Sequence, residues 1–358
     1  MKNQLLNMFY GPFLSLDIGS HSIKIVEGNW TRSAINIERL ISIPTPLETV
    51  SDGKITDINK LREAVSTTIE IEKIKAKRLI FTIGSTSVIT REIILPTTKP
   101  EEIKSILEYE LQQYLPVNLD DYILQKKILE EFMESGIKKS NLQVAALPKE
   151  MVSEYYQLAQ LLKLKAVVLD LNFNSIYKLI IEKAFLNKGE DVSNKTIAVV
   201  DIGYKSMNVI IIEKKVLKFN RLIQSGGNEI DVNLANALNL TLREASEKKK
   251  EIKNIQGSTL SELEEIVNSN IKATIDNWVY DIERLFKYYT SREVNNKLDA
   301  IYLYGGGSRV KGIEGYFKEA FQIPTYKLTD IAGINKNKNL LTKDLDTYYN
   351  AIGAMIGR

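Results

Sequence analysis

Apolar residues recur along this chain in two alternating rhythms. Runs of strand length occur at Phe13 to Leu16, Ile23 to Glu27, Ile35 to Ile43, Arg78 to Ile83 and Ala166 to Leu171. Further runs follow at Ile197 to Val200, Met207 to Glu213, Val216 to Ile223 and Ala300 to Tyr304. Between them the spacing shifts toward the 3.6-residue period of a helix. It predicts helices over Leu61 to Ile71, Glu101 to Tyr114 behind Pro100, Pro148 to Leu162 and Glu229 to Leu238. Others are predicted over Leu242 to Lys253, Leu260 to Tyr289 and Gly312 to Phe321. Strands alternating with helices imply an α/β fold, with sheets flanked by helices. Ala166 to Leu171 reads as a buried strand, and the polar segment Asn187 to Asn194 as the boundary between two halves.

The two halves open alike. Asp17-Ile18-Gly19 lies over Asp201-Ile202-Gly203, Ser22 over Ser206, Lys24 over Asn208, and Ile25-Val26 over Val209-Ile210. Each copy follows an apolar strand, turns, and enters a second and a third strand. One hairpin-plus-strand unit is used twice.

Composition narrows the chemistry. The chain has 358 residues, enough for two cores, with 44% hydrophobic and 26% charged residues and a net charge of +3. That is far from the concentrated basic face of a nucleic-acid binder, so no nucleic-acid partner is expected. The clusters Lys75 to Arg78 and Lys248 to Lys250 read as solvated helix faces. Cysteine is absent, and His21 is the sole histidine. Disulfides, thiolate metal sites and cysteine nucleophiles are therefore excluded, and a Ser-His relay nearly so. No apolar run reaches membrane-spanning length. Met1 to Phe13 lacks the pattern of a signal peptide, so a cytoplasmic address is expected.

The repeated turns suit a nucleotide. Glycine lets the main chain bring its N–H donors close to phosphate oxygens, and a hydroxyl three positions on can wrap one phosphate. Two such turns facing each other would hold the β- and γ-phosphates of ATP. Asp17 and Asp201 would hold Mg2+ through its waters, and Lys24 would add positive charge. A third glycine-rich element, Gly305-Gly306-Gly307-Ser308, ends a strand and precedes a helix, where it could approach an adenosine. Alone it is a weak signal, since such runs are often plain turns. Val310 stands where a G-x-G-x-x-G pattern needs its third glycine, and no G-x-x-x-x-G-K-[ST] segment exists.

The order of two Asp-Gly turns and a glycine run resembles the actin-like ATPase superfamily. Leu16 to Ile25 resembles its first phosphate motif, Val199 to Ile210 its second and Tyr302 to Gly312 its adenosine motif. Ala145 to Leu162 and Tyr349 to Gly357 resemble its two connecting helices. Across nearly the whole chain the PilM family of type IV pilus assembly proteins fits best. Its opening is similar to Leu16 to Lys24. Its R-x-x-x-L-P and E-x-x-x-Y-x-P patterns are similar to Arg91 to Pro96 and to Glu110, Tyr114 and Pro116. Its Gly-Gly turn and following helix are similar to Gly226 to Lys250.

The resemblance implies a bilobed actin-like ATPase fold with an FtsA-like inserted subdomain. The first lobe would comprise residues 1–87 and 149–190 and the insert residues 88–148. The second lobe would comprise residues 191–225 and 290–358, with a helical subdomain at 226–289. It implies ATP and Mg2+ as cofactors. The nucleotide residues would be Gly19, Ser20, Ser22, Lys24, Gly203, Tyr204, Lys205, Ser206, Gly226 and Gly227. To these it adds Glu247 (or Ser246), Lys249, Lys250, Gly305, Gly306, Gly307, Ser308 and Lys311. It further implies capture of the N-terminal cytoplasmic segment of the membrane protein PilN beside the insert, and a place in the pilus inner-membrane assembly complex. Leu95, Tyr109, Leu111, Tyr114 and Leu115 would line that groove, although their spacing fits core packing better. The protein would then sit peripherally at the membrane through its partners, with self-association left open.

One departure bears on catalysis. After the strand at Ala166 to Leu171 the family tends to carry an acidic residue and proline, whereas this chain has Asn172 and Phe173. An amide cannot take a proton from water, which points to slow or absent hydrolysis. An FtsA-like membrane-tethered filament protein would want an amphipathic anchor after Met355 to Arg358. A small-molecule kinase would want a carboxylate base and a sugar pocket in the first half.

Overall fold

The computed structural model describes residues 11–31, 34–97, 106, 107, 109, 118–258, 261–292 and 296–357. The first half opens with β1 (Phe13–Ile18), β2 (Ser22–Trp30) and β3 (Ile35–Pro44), followed by α1 (Ile58–Ile71) and β4 (Arg78–Ile83). Asp57 starts α1 by accepting from the N–H groups of Asn59 and Lys60, and Leu61, Val65 and Thr68 form its buried stripe. Strands β5 (Ile89–Pro96), β6 (Tyr122–Glu134) and β7 (Ile137–Pro148) come next, then α2 (Lys149–Leu161), β8 (Lys165–Leu171) and α3 (Asn172–Lys183). The second half carries β9 (Thr196–Ile202), β10 (Met207–Glu213) and β11 (Val216–Ile223), then α4 (Gly227–Leu238), α5 (Leu242–Glu251) and α6 (Glu262–Thr290). It closes with β12 (Ala300–Tyr304), α7 (Ile313–Phe321), β13 (Thr325–Lys327), β14 (Ile334–Lys336) and α8 (Tyr349–Ala354).

Two mixed sheets carry the halves. The first has the order β8-β4-β1-β2-β3-β14 and the second β11-β10-β9-β12-β13. In each, the opening hairpin and third strand are antiparallel, while the strands on the other side run parallel. The registers match too: Asp17 pairs with Lys24, and Asp201 with Asn208. The repeat read from the sequence is thus a repeat of topology. The inner strands are long apolar runs because both of their faces are covered; Met207 to Ile212 are all buried.

Helices α3 and α8 fill the space between the sheets. Six consecutive residues of α3, Ser175 to Ile180, are buried, as are all six of α8. A Cβ on Gly353 would stand 2.1 Å from the Ser175 carbonyl oxygen, so only glycine lets these helices touch. This corrects the expected connecting helix: α3, not the segment ending at Leu162, is the partner of the C-terminal helix. Helix α2 instead packs on the first sheet, where Met151, Tyr155 and Leu158 join Leu14 and Leu16. The strand at Ala166 to Leu171 is also less buried than expected. As β8 it forms the sheet edge, with Val167 and Val168 about two-fifths exposed (39% and 41%).

Strands β5, β7 and β6 make a separate three-stranded antiparallel sheet over residues 89–148, with its own small core. The sheet and the turn that precedes it reach across to the second half. Thr90 donates to Asn220 at 3.0 Å, Gln224 donates to Thr86 at 3.0 Å, and Lys218 pairs with Glu130 at 3.0 Å. All three contacts fall on β11 or just beyond it. Most of the helix expected at Glu101 to Tyr114 lies outside the described residues.

Candidate functional site

A cleft of about 1020 Å³ opens between the halves, and both Asp-Ile-Gly turns form its floor. The second turn is closed by its own backbone, the Gly203 N–H donating to the Ser206 carbonyl at 3.0 Å, whereas the first is held from outside by the Thr45 hydroxyl, which donates to the Gly19 carbonyl at 2.6 Å. Asp17 and Asp201 end the central strands of the two sheets and face the cleft together. Burial pushes the Asp17 carboxyl up to about 6, against the opposing pull of Lys24 and Asn350. Burial likewise lifts Asp201 to about 7; Asn350 opposes this, and the Asp17 charge adds to it. The Lys24 ammonium, which bonds the Ser22 hydroxyl, is pushed down by burial and partly held up by Asp17. Two desolvated carboxylates facing one cleft also favour a shared hard cation.

The glycine run closes the far wall. Gly305 has φ +85°, and a Cβ there would stand 2.2 Å from Asp201 Oδ1. No other residue type would let the Tyr304–Gly305 backbone lie against that carboxylate. Asn350 of α8 donates to Asp201 Oδ2 at 2.9 Å and accepts from the Tyr304 hydroxyl at 2.9 Å. The C-terminal helix therefore touches the floor of the site directly. Arg309 makes a two-point pair with Asp346, at 2.6 and 2.7 Å, on the rim.

Most residues singled out in the sequence meet here. Gly19, Ser20, Ser22, Lys24, Gly203, Tyr204, Lys205 and Ser206 line the cleft, as do Gly227, Lys249, Lys250, Gly305, Gly306, Gly307 and Lys311. Three do not. Ser308 is 1% exposed and turns inward, its hydroxyl donating to the Gly305 carbonyl at 2.7 Å. Gly226 packs behind the lining on the carbonyls of Gly203 and Tyr204. Glu247 points outward and pairs with Lys250 at 2.7 Å, whereas Ser246 lies on the cleft. The helical register of α5, set by its Thr241–Glu244 capping box, decides between the last two.

Of the expected groove residues, Leu95 is 8% exposed and packs inside the small sheet's core with Leu107, Leu119, Leu142 and Val144. It lines no groove. Tyr109 is exposed. Leu111, Tyr114 and Leu115 lie outside the described residues.

The sequence reading passed over several lining residues. His21 meets Tyr204 across the cleft, and Asp231, 1% exposed, accepts from Lys249 at 2.5 Å. A signal existed for His21, which directly follows Gly19-Ser20. Nothing local marks Asp346 or Asn350, which precede or belong to a helix of only six residues. Asn172 also lines the cleft and accepts from Thr82 at 2.8 Å. The adjoining carboxylate, Asp170, is turned away and saturated: Asn174, Ser175 and Lys178 all donate to it at 2.7 to 2.8 Å. Among the described residues no group of three or more His, Cys, Asp or Glu side chains could hold a metal by itself. Nor is any helix long and apolar enough to cross a membrane.

Solved structures share this architecture. A PilM-PilN type IV pilus biogenesis complex matches with a TM-score of 0.81 at 18% identity, covering 96% of this chain and 97% of that one. The ethanolamine utilization protein EutJ from Carboxydothermus hydrogenoformans follows at TM-score 0.55 and 13% identity, covering 96% and 89%. MreB5 of Spiroplasma citri bound to ADP gives TM-score 0.51 at 12% identity, covering 90% and 92%. At such identities these likenesses speak to the fold, which is the bilobed actin-like α/β fold with the cleft between its halves. No curated protein matches the chain. The model of the type IV pilus assembly protein PilM family matches residues 15–357, nearly the full length. The chain belongs to the type IV pilus assembly protein PilM family.

Proposed function

We propose that this protein is the ATP-binding component of a type IV pilus assembly machine, and that it recruits the N-terminal cytoplasmic segment of PilN. The observation that carries the nucleotide half is the facing pair Asp17 and Asp201, whose carboxyls are lifted to about 6 and 7 beside the two glycine turns. Such a pair gains most from Mg2+ held through water. Gly19 to Lys24 and Gly203 to Ser206 would hold the β- and γ-phosphates. Lys249 and Lys250, beside Gly227, would meet the ribose, and Gly305 to Gly307 with Lys311 the adenosine. Gly226 and Ser308 would act behind this lining, as backbone supports. Residues of both turns would hold Mg-ATP, which when bound would supply the negative charge that they meet.

The partner half rests on membership of the family and on likeness to a complex named for PilM and PilN. The small sheet over 89–148 is the proposed inserted, partner-binding subdomain, with the lobe limits as given by the resemblance. The protein would work in the cytoplasm, held at the membrane through its partner. Hydrolysis would be slow, because Asn172 cannot act as a base and Asp170 already accepts from three side chains. The deciding experiment titrates a PilN N-terminal peptide into the full chain with and without Mg-ATP. Tighter peptide binding with Mg-ATP is expected; peptide affinity unaltered by nucleotide would overturn the linkage.

A further inference from the structure

Behind the large cleft lies a second cavity of about 310 Å³, where the turn after β4, the start of α3 and strands β10 and β11 meet. It brings both halves and the root of the small sheet together. Asn172, Asn208 and Leu222 line both cavities and form the wall between them. Gly84 keeps this wall close-packed, since a Cβ there would already stand 3.2 Å from Asn172 Nδ2 and 3.8 Å from Leu222.

The chemistry of this cavity is one-sided. Its lining includes Arg91 and Arg221 but no Asp or Glu, in contrast with the large cleft, which is lined by five aspartates. Asp52 reaches the neighbouring Ser85–Thr86 turn, where it accepts from the Thr86 N–H at 3.0 Å and the Thr86 hydroxyl at 2.6 Å. The amides on the cavity are donor-rich. Asn172 and Asn220 each spend their oxygen on a threonine hydroxyl, Thr82 at 2.8 Å and Thr90 at 3.0 Å. Among the described residues no acceptor meets their NH2 groups. Asn208 is 8% exposed, and its carboxamide has no hydrogen-bond partner among the described residues. The Arg221 guanidinium makes no ion pair among them either. Finally, the 12-residue helix α3 begins on this cavity at Asn172 with no side-chain cap and no acid in its first turn.

An amide that lines a cavity without a protein partner has donors to offer a ligand, and an uncapped helix start presents N–H donors and partial positive charge. Arginine, free NH2 groups and a helix N-terminus are together the donor set of an anion site. We propose that this second cavity binds a compact oxyanion, of the size of phosphate or a small carboxylate, separately from the nucleotide cleft. A ligand there would contact β11 of the second half and the β4–β5 turn of the first. It would therefore favour the present spacing of the halves and be linked to whatever binds the cleft.

The test is calorimetric titration of the full chain, alone and saturated with Mg-ATP, with inorganic phosphate in one arm and acetate in the other. Saturable binding in either arm that persists with ATP bound, and that Arg221→Gln weakens about tenfold, is the expected result. The arm that saturates identifies the anion. Arg221→Lys keeps the charge and should retain most of the affinity, which separates a lost contact from a damaged fold. No saturation in either arm, unaltered affinity in Arg221→Gln, or displacement by ATP would each overturn the proposal. Failure of the nucleotide reading is distinguishable: ATP would then not bind the wild-type chain, while the anion arms without ATP would still report on this cavity.

Discussion

The imidazole of His21 lies 4.6 Å from the phenol ring of Tyr204, tilted by 44°, so the turns that open the two halves touch across the cleft. His21 comes from the first turn and Tyr204 from the second. An aromatic contact of this kind contributes about 0.5–1.5 kcal/mol. A nucleotide whose phosphates lie between the turns has to part it. His21→Ala should therefore raise the ATP association rate by about threefold to tenfold, the range that contact energy permits. Stopped-flow fluorescence with a labelled nucleotide reads this, and an unaltered rate would remove the gating role.

Asp201 is the carboxylate most tightly built into the floor, between Gly305 and Asn350. Asp201→Ala should weaken Mg-ATP by at least about tenfold, as loss of a charged partner does. Binding of ATP without Mg2+ should fall much less. Equal loss with and without Mg2+ would argue against a cation at this pair.

The same carboxylates set a pH dependence. Their folded values, about 6 and about 7, lie above the ordinary carboxylate range, so the folded state holds protons that the unfolded chain releases. Their contribution to stability is present below pH 4 and is lost as pH rises through 6 to 7. The Mg-free protein should therefore lose thermal stability from pH 5 to pH 8 at these positions, and Mg-ATP should restore most at the upper end. Melting curves of wild type and Asp201→Asn with and without Mg-ATP test this; an Asp201→Asn profile as steep as wild type would refute it.

Lys178 and Asp170 are 3% and 7% exposed and pair at 2.8 Å, and Lys178 also donates to the Ile356 carbonyl at 2.8 Å. The pair ties β8 and α3 to the end of the C-terminal helix. Asp170→Ala leaves the ammonium buried and unpaired, and should cost about 3–5 kcal/mol. The paired change Asp170→Ala with Lys178→Met should cost less than the single one. Urea unfolding checks the order.

The small sheet contacts the second half through Thr90–Asn220 and Glu130–Lys218, and the turn before it through Thr86–Gln224. Reversing one of these, Lys218→Glu, places like charges at 130 and 218. It should lessen the effect of Mg-ATP on PilN-peptide binding by about threefold or more, while leaving peptide affinity without nucleotide within about twofold, as for a partly exposed pair. Unaltered linkage would show that the seam carries none of it.

Local patterns made much of this legible. The twin turns were visible because a strand–Asp–Gly–strand unit is contiguous, and β9 and β10 show themselves as apolar runs. Helix α3 was not anticipated. It follows β8 directly at Asn172, with no loop and no side-chain cap to mark its start, and polar Ser175 and Lys178 fall inside its buried run. The β6–β7 hairpin from Tyr122 to Pro148 went unassigned for a related reason: much of β6 is only partly buried, so its alternation is blurred. Motif position points to Glu247 or Ser246 and to Ser308, but helix register turns Glu247 outward and a tight Gly305–Ser308 bond turns Ser308 inward.

By itself the sequence determined the α/β alternation, the duplicated turns and the chemistry they supply, since each rests on neighbouring residues and on backbone freedom at glycine. Only the tertiary structure decided that Asp17 and Asp201 share one floor, that Asn350 reaches it from the C-terminal helix, and that His21 meets Tyr204. Those contacts join residues far apart in the chain, and they exist because helices α3 and α8 fill the space between the two sheets at a crossing that Gly353 alone permits. The electrostatics follow from the same packing: both carboxylates are shifted by a burial that neither turn possesses on its own, and Asp201 also by the Asp17 charge beside it.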